Sequence, residues 1–126
     1  MFNQALRRAL NVATHDYLVV LITDYAGYDE ETRRWVTSIA AHNDVLAVMT
    51  YDPLGIRLPQ EQGLEVTDGS ATLGIPEGDG FQGAFETLFK KRVDEIRGIL
   101  GSLRIPILPL CTHDPVGDQL RVALGR

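Results

Sequence analysis

Apolar residues recur at Phe2, Leu6, Ala9, Leu10 and Ala13, a spacing that puts them on one side of a helix over roughly residues 2–14. The pattern then becomes continuous. Tyr17-Leu-Val-Val-Leu-Ile-Thr23 is apolar and rich in β-branched residues, which suits a strand buried on both faces of a parallel sheet. Asp29 is placed to cap a second helix, with Glu30 and Glu31 in its first turn at the positive end of the dipole. Trp35, Ile39 and His42 line one face of it. A second strand runs from Val45 to Tyr51 and stops at Asp52-Pro53, because proline cannot continue a ladder.

From Pro53 to Gly80 the pattern changes. Gly63–Thr67 and Ala71–Ile75 flank Asp68-Gly69-Ser70 and predict a short hairpin with a tight turn. The longest helix follows over roughly residues 81–103, with Phe85, Leu88, Phe89, Ile96, Ile99, Leu100 and Leu103 as its apolar stripe. Gly98 and Gly101 weaken its last turns. Ile105–Leu110 reads as a third strand, and Pro106 and Pro109 place it at a sheet edge, where a missing N–H costs least. Asp114-Pro115 opens a final helix, with Asp114 as its cap and proline in the first helical position. The order helix–strand–helix–strand–hairpin–helix–strand–helix predicts one α/β domain over residues 1–126, with three parallel strands joined by right-handed crossovers.

Composition narrows the function classes. A chain of 126 residues can bury a core without metal or disulfide staples. Its net charge of −5 repels phosphate, and its basic pairs all sit among acids on helical stretches, so neither nucleic acid nor an anionic membrane is an expected partner. Cys111 is the one cysteine, and its place at the end of an apolar run suits a buried, inert thiol. No apolar run approaches the roughly 20 residues that span a bilayer, and the first residues lack a signal-peptide core, so the expected location is cytoplasmic.

In open α/β sheets, ligands bind beyond the carboxyl ends of the strands. Those ends carry Asp24, Asp52 and Thr112-His113-Asp114, and converging carboxylates suit Mg²⁺ or Ca²⁺. The structural alternative is that each carboxylate satisfies loop N–H groups or caps a helix. Gly78-Asp-Gly80-Phe-Gln-Gly83 matches a dinucleotide-binding spacing, yet Glu77 and Asp79 would repel a pyrophosphate, and a flexible helix entry explains it better. Asp68-Gly-Ser70-Ala-Thr72 has the look of a metal motif but falls in the hairpin turn, where turn chemistry accounts for it. His15, His42 and His113 lack metal-ligand spacing, and Cys111–His113 lacks a third partner for nucleophilic catalysis.

Val19-Val-Leu-Ile-Thr-Asp24 resembles the fourth strand of a von Willebrand factor A-type domain, which ends in an aspartate of its metal site. The segment from Ala41 through Asp44 to Asp52-Pro53, followed by Arg57-Leu58-Pro59, is similar to one in the bacterial domain of unknown function 58 family, whose core is von Willebrand A-like. Thr112, Asp114-Pro115 and a last helix tipped by Arg126 resemble the way that family closes. The resemblance implies the C-terminal half of such a domain: three layers built on half of a Rossmann-like parallel sheet, with an inserted hairpin. The family's Asp-x-Ser-x-Ser strand and loop threonine would both precede Met1, so Asp24 alone maps onto a metal-site position. One carboxylate cannot hold a dication that wants six or so oxygens, and Mg²⁺ is therefore expected only if the other half of the domain is supplied.

The resemblance further implies a non-enzymatic interaction module acting with MoxR-type AAA+ ATPases in assembly or metal insertion. The alternative is a small metal-dependent hydrolase using Asp24, Asp52 and His113. In the von Willebrand A order, the Tyr17–Thr23 strand pairs with a strand outside this chain. Its edge is then an unpaired, apolar template, expected to pair with a second copy or with the missing half of a parent domain.

Overall fold

Helices and strands alternate along the chain as their periodicity predicts, with boundaries displaced by a few residues for local reasons. The computed structural model describes residues 1–56, 58–59, 63–76 and 78–125; Arg57, Glu77 and Arg126, named above, lie outside the described residues. The elements are α1 (Phe2–Val12), β1 (Leu18–Thr23), α2 (Glu30–Ala40), β2 (Asp44–Tyr51), β3 (Glu65–Thr67), β4 (Thr72–Gly74), α3 (Asp79–Ser102), β5 (Ile107–Cys111) and α4 (Val116–Ala123). A single 3-10 turn, Pro53–Gly55, follows β2.

Two sheets result. β1, β2 and β5 form a parallel sheet in the order β1-β2-β5, and β3 and β4 form a separate antiparallel pair. The register sets Leu21 beside Ala47 and Ala47 beside Ile107. One face of this sheet, carrying Leu21, Val45, Ala47 and Met49, packs on Leu6 of α1, Val36 and Ile39 of α2, and Ile96 and Leu100 of α3. The apolar stripes of three helices thus converge on one sheet face, and burying them is the main force holding these elements together.

Local polar chemistry sets the helix ends. The Asp29 carboxylate accepts a hydrogen bond from Thr32 N at 2.7 Å, and Asp29 N donates to the Thr32 hydroxyl at 3.2 Å, a reciprocal cap for α2. Asn43 ties three elements: its Nδ2 donates to Ala13 O and Ile39 O, while its Oδ1 accepts from Tyr17 N. That explains why α1 stops at Val12, since the carbonyl beyond it is turned to Asn43.

Three expectations need correction. The Tyr17–Thr23 segment is not buried on both faces: Leu18, Val20 and Ile22 are 68%, 44% and 68% exposed. Its apolar character suits burial, but the helices that pack on β1 cover only the Val19, Leu21 and Thr23 side. Asp114 does not cap α4; Pro115 occupies the cap position and no side chain bonds there. Proline lies one place earlier than predicted, so the aspartate falls in the preceding turn. The third strand starts at Ile107 rather than Ile105, whose side chain is buried instead against the helices.

Candidate functional site

Asp24, at the end of β1, is exposed, and its Oδ1 accepts a hydrogen bond from Ala26 N at 2.9 Å. The next residue, Tyr25, has φ of 57° and is fully buried, an unusual backbone state for an aromatic residue. Its N–H donates to the Thr23 hydroxyl at 3.2 Å. The carboxylate therefore serves a tight turn that drives Tyr25 inward.

Asp52, at the end of β2, caps the 3-10 turn by accepting from Leu54 N at 2.8 Å. Its second oxygen accepts from the Thr112 hydroxyl at 3.1 Å, across from the end of β5. Asp52, Pro53, Leu54, Thr112 and His113 line an open cleft of about 400 Å³. The fold thus brings Asp52 and Thr112 together, as the shared strand direction requires. Among the described residues, no group of three or more His, Cys, Asp or Glu side chains could hold a metal ion. The Asp24 and Asp52 carboxylates bond to main-chain N–H groups and to hydroxyls rather than to one another.

The motifs set aside in the sequence behave as turns. Asp68 Oδ1 accepts from Ser70 N, Ser70 Oγ and Ala71 N, which hold its carboxyl down at about 2. Gly69 between them takes φ of 89°. Gly78 enters α3 at φ of 119°, open to glycine alone. Cys111 is free and buried. His15, His42 and His113 are all exposed.

The two edges of the parallel sheet differ in chemistry. On β5, Ala47 N donates to Pro106 O and Thr112 N donates to Tyr51 O, so even-numbered β5 residues turn their main-chain groups to β2. Ile107, Pro109 and Cys111 then face outward. Pro109 has no N–H to leave bare. Cys111 is closed by Gln119, whose Oε1 accepts from Cys111 N at 2.7 Å and whose Nε2 donates to Cys111 O at 2.8 Å. A side-chain amide thus stands in for a neighbouring strand.

β1 has neither device. Asp44 N donates to Tyr17 O at 2.9 Å, so odd-numbered residues of β1 bond to β2, while Leu18, Val20 and Ile22 turn N–H and C=O outward. These same residues carry the exposed side chains. Among the described residues no strand pairs with this edge, and the β3–β4 hairpin is not its cover.

Sequence reading missed Gln119 and Asn43, because a side chain that bonds to main chain has no local signature; only tertiary approach reveals the carbonyls it meets. No helix among the described residues is long and apolar enough to cross a membrane. Compared with protein-family models, with curated proteins and with solved structures, the chain matches none.

Proposed function

We propose that this chain is a protein–protein interaction module with a von Willebrand A-like core of the domain of unknown function 58 type, acting with a MoxR-type AAA+ ATPase. The observation that supports an interaction role is the β1 edge, which joins three outward main-chain pairs to three exposed apolar side chains on an uncharged strand. Such an edge templates strand addition unless something covers it. The resemblance of the β1 and β2 segments supplies the identity of the ATPase partner. A second copy and a strand from a parent domain are the other occupants expected from sequence.

Mixing the purified chain with a MoxR-type ATPase and ATP, then sizing the mixture, tests the reading. The expected result is co-migration that Val20→Lys abolishes while the variant's circular dichroism is unchanged. A chain that stays separate in every nucleotide state would sink the proposal. The metal-dependent hydrolase is the weaker reading, since among the described residues Asp52 bonds to Thr112 across the strand ends while Asp24 bonds only within its own turn.

A further inference from the structure

Among the described residues, the sheet closes much of its β5 edge and leaves the β1 edge bare, and the charges around the bare edge select what covers it. We infer that the β1 edge receives an extended strand of a different polypeptide, uncharged and apolar over about six residues and flanked by Lys or Arg at both ends. This rests on the interaction reading above and specifies its docking mode and partner chemistry.

The first support is charge. β1 itself has no ionisable side chain, but Asp16 precedes it and Asp24 follows it, both exposed. Asp16 bonds to His15 Nδ1 at 2.8 Å and Asp24 to Ala26 N and the Thr23 hydroxyl. Among the described residues neither carboxylate has a Lys or Arg partner, whereas Glu30, Glu95 and Asp118 each do. An incoming strand with basic flanks meets attraction at each end.

A second copy meets the opposite. Two β1 edges joined antiparallel about Val20 would match their outward groups, Leu18 with Ile22 and Val20 with itself. The same register sets Asp16 against Asp24 at both ends, and directly opposed like charges are unfavourable. Two bodies of charge −5 also repel at distance.

Area points the same way. A six-residue strand is roughly 20 Å long, and an edge about 10 Å deep makes edge-to-edge pairing bury only about 400 Å² in total. Stable interfaces start at about 1,200 Å². A symmetric pair would also leave Leu18, Val20 and Ile22 of both copies open on one sheet face. A different polypeptide can add its strand and continue over that face.

The test uses two synthetic peptides, Lys-Thr-Val-Thr-Val-Thr-Val-Thr-Lys, whose two lysines match the Asp16–Asp24 spacing, and the same sequence with glutamate at both ends. Binding is followed by amide NMR shifts and hydrogen exchange on the full chain. The expected result is weak binding that protects the Leu18, Val20 and Ile22 amides, about tenfold tighter for the lysine-flanked peptide at low salt. That preference should shrink toward unity in 0.5 M salt, where charges a few ångströms apart are screened. Asp16→Asn combined with Asp24→Asn should remove it without unfolding the chain, since asparagine keeps each turn's acceptor. Equal affinity for the two peptides, or no binding by either, would overturn the inference. So would a dimer in sedimentation whose Leu18, Val20 and Ile22 amides are protected without peptide. If the ATPase complex forms and neither peptide binds, the docking mode is wrong while the interaction reading survives.

Discussion

Tyr25 and Tyr28 bury their phenolic oxygens with no hydrogen-bond partner among the described residues, although their rings lie 6.2 Å apart. A buried hydroxyl left unbonded carries its desolvation cost with no bond to offset it, so removing it while keeping the ring should help. Tyr25→Phe is expected to raise the unfolding free energy by about 1 kcal/mol, seen as a higher urea midpoint at unchanged slope. Burial pushes both phenols above their ordinary value of 10.0; Tyr28 adds to the rise at Tyr25, while at Tyr28 Arg33 opposes it and Glu30 and Asp29 add to it. Because the folded state holds these protons more tightly, their contribution is complete below pH 10 and is lost as pH climbs beyond it. Tyr25→Phe should therefore also move the alkaline unfolding edge upward, and an unmoved edge would contradict this. The aromatic identity of these positions was legible in the sequence. Their inward turn was not, because it depends on the left-handed backbone at Tyr25 and on Arg92 of α3, whose guanidinium reaches both tyrosine carbonyls at 3.3 and 3.4 Å.

The apolar stripe of α3 reaches the core only in its C-terminal half, where Ile96 and Leu100 are buried, whereas Leu88, expected in the same stripe, is 66% exposed. α3 runs through Gly98 and Gly101 because Ile96 and Leu100 are buried against the sheet, and packing outweighs the propensity of two glycines. Pro109 correctly marked β5 as an edge. What closes that edge is Gln119 on α4, which also donates to Asp114 O at 2.9 Å. Gln119→Leu should cost about 2 kcal/mol, since it strips both main-chain groups of Cys111 of a partner, and should expose α4 to faster hydrogen exchange than α2. A variant as stable as the parent, with α4 still protected, would show the amide clamp to be dispensable. The β3–β4 hairpin pairs Val66 with Leu73, both more than half exposed, so its own contacts leave an apolar face uncovered.

At the scale of the whole molecule, the strand ends that invited a metal-site reading divide: Asp52 meets the Thr112 hydroxyl, while Asp24 bonds within its own turn. A ligand that binds only the native state must raise its stability. Titrating the chain with millimolar Mg²⁺ or Mn²⁺ should leave its Tm within about 1 °C of the metal-free value, and Asp24→Ala should not change that flat response. A clear stabilisation abolished by Asp24→Ala would instead favour the hydrolase reading. The acidic net charge works alongside this at long range, by discouraging self-association of copies whose β1 edges are otherwise apolar.

The chain's own residues determined the alternation of helices and strands, the parallel α/β class, the hairpin turn at Asp68-Gly69-Ser70 and the edge position of β5, because each rests on periodicity or on the backbone limits of glycine and proline. Tertiary structure alone decided which strand faces are covered, which main-chain groups find partners, and which carboxylates meet. The apolar run at β1 shows the division. Its composition is that of a buried strand, but burial belongs to the neighbours a strand has, and here helices cover one face while the outer edge and half of its side chains stay open.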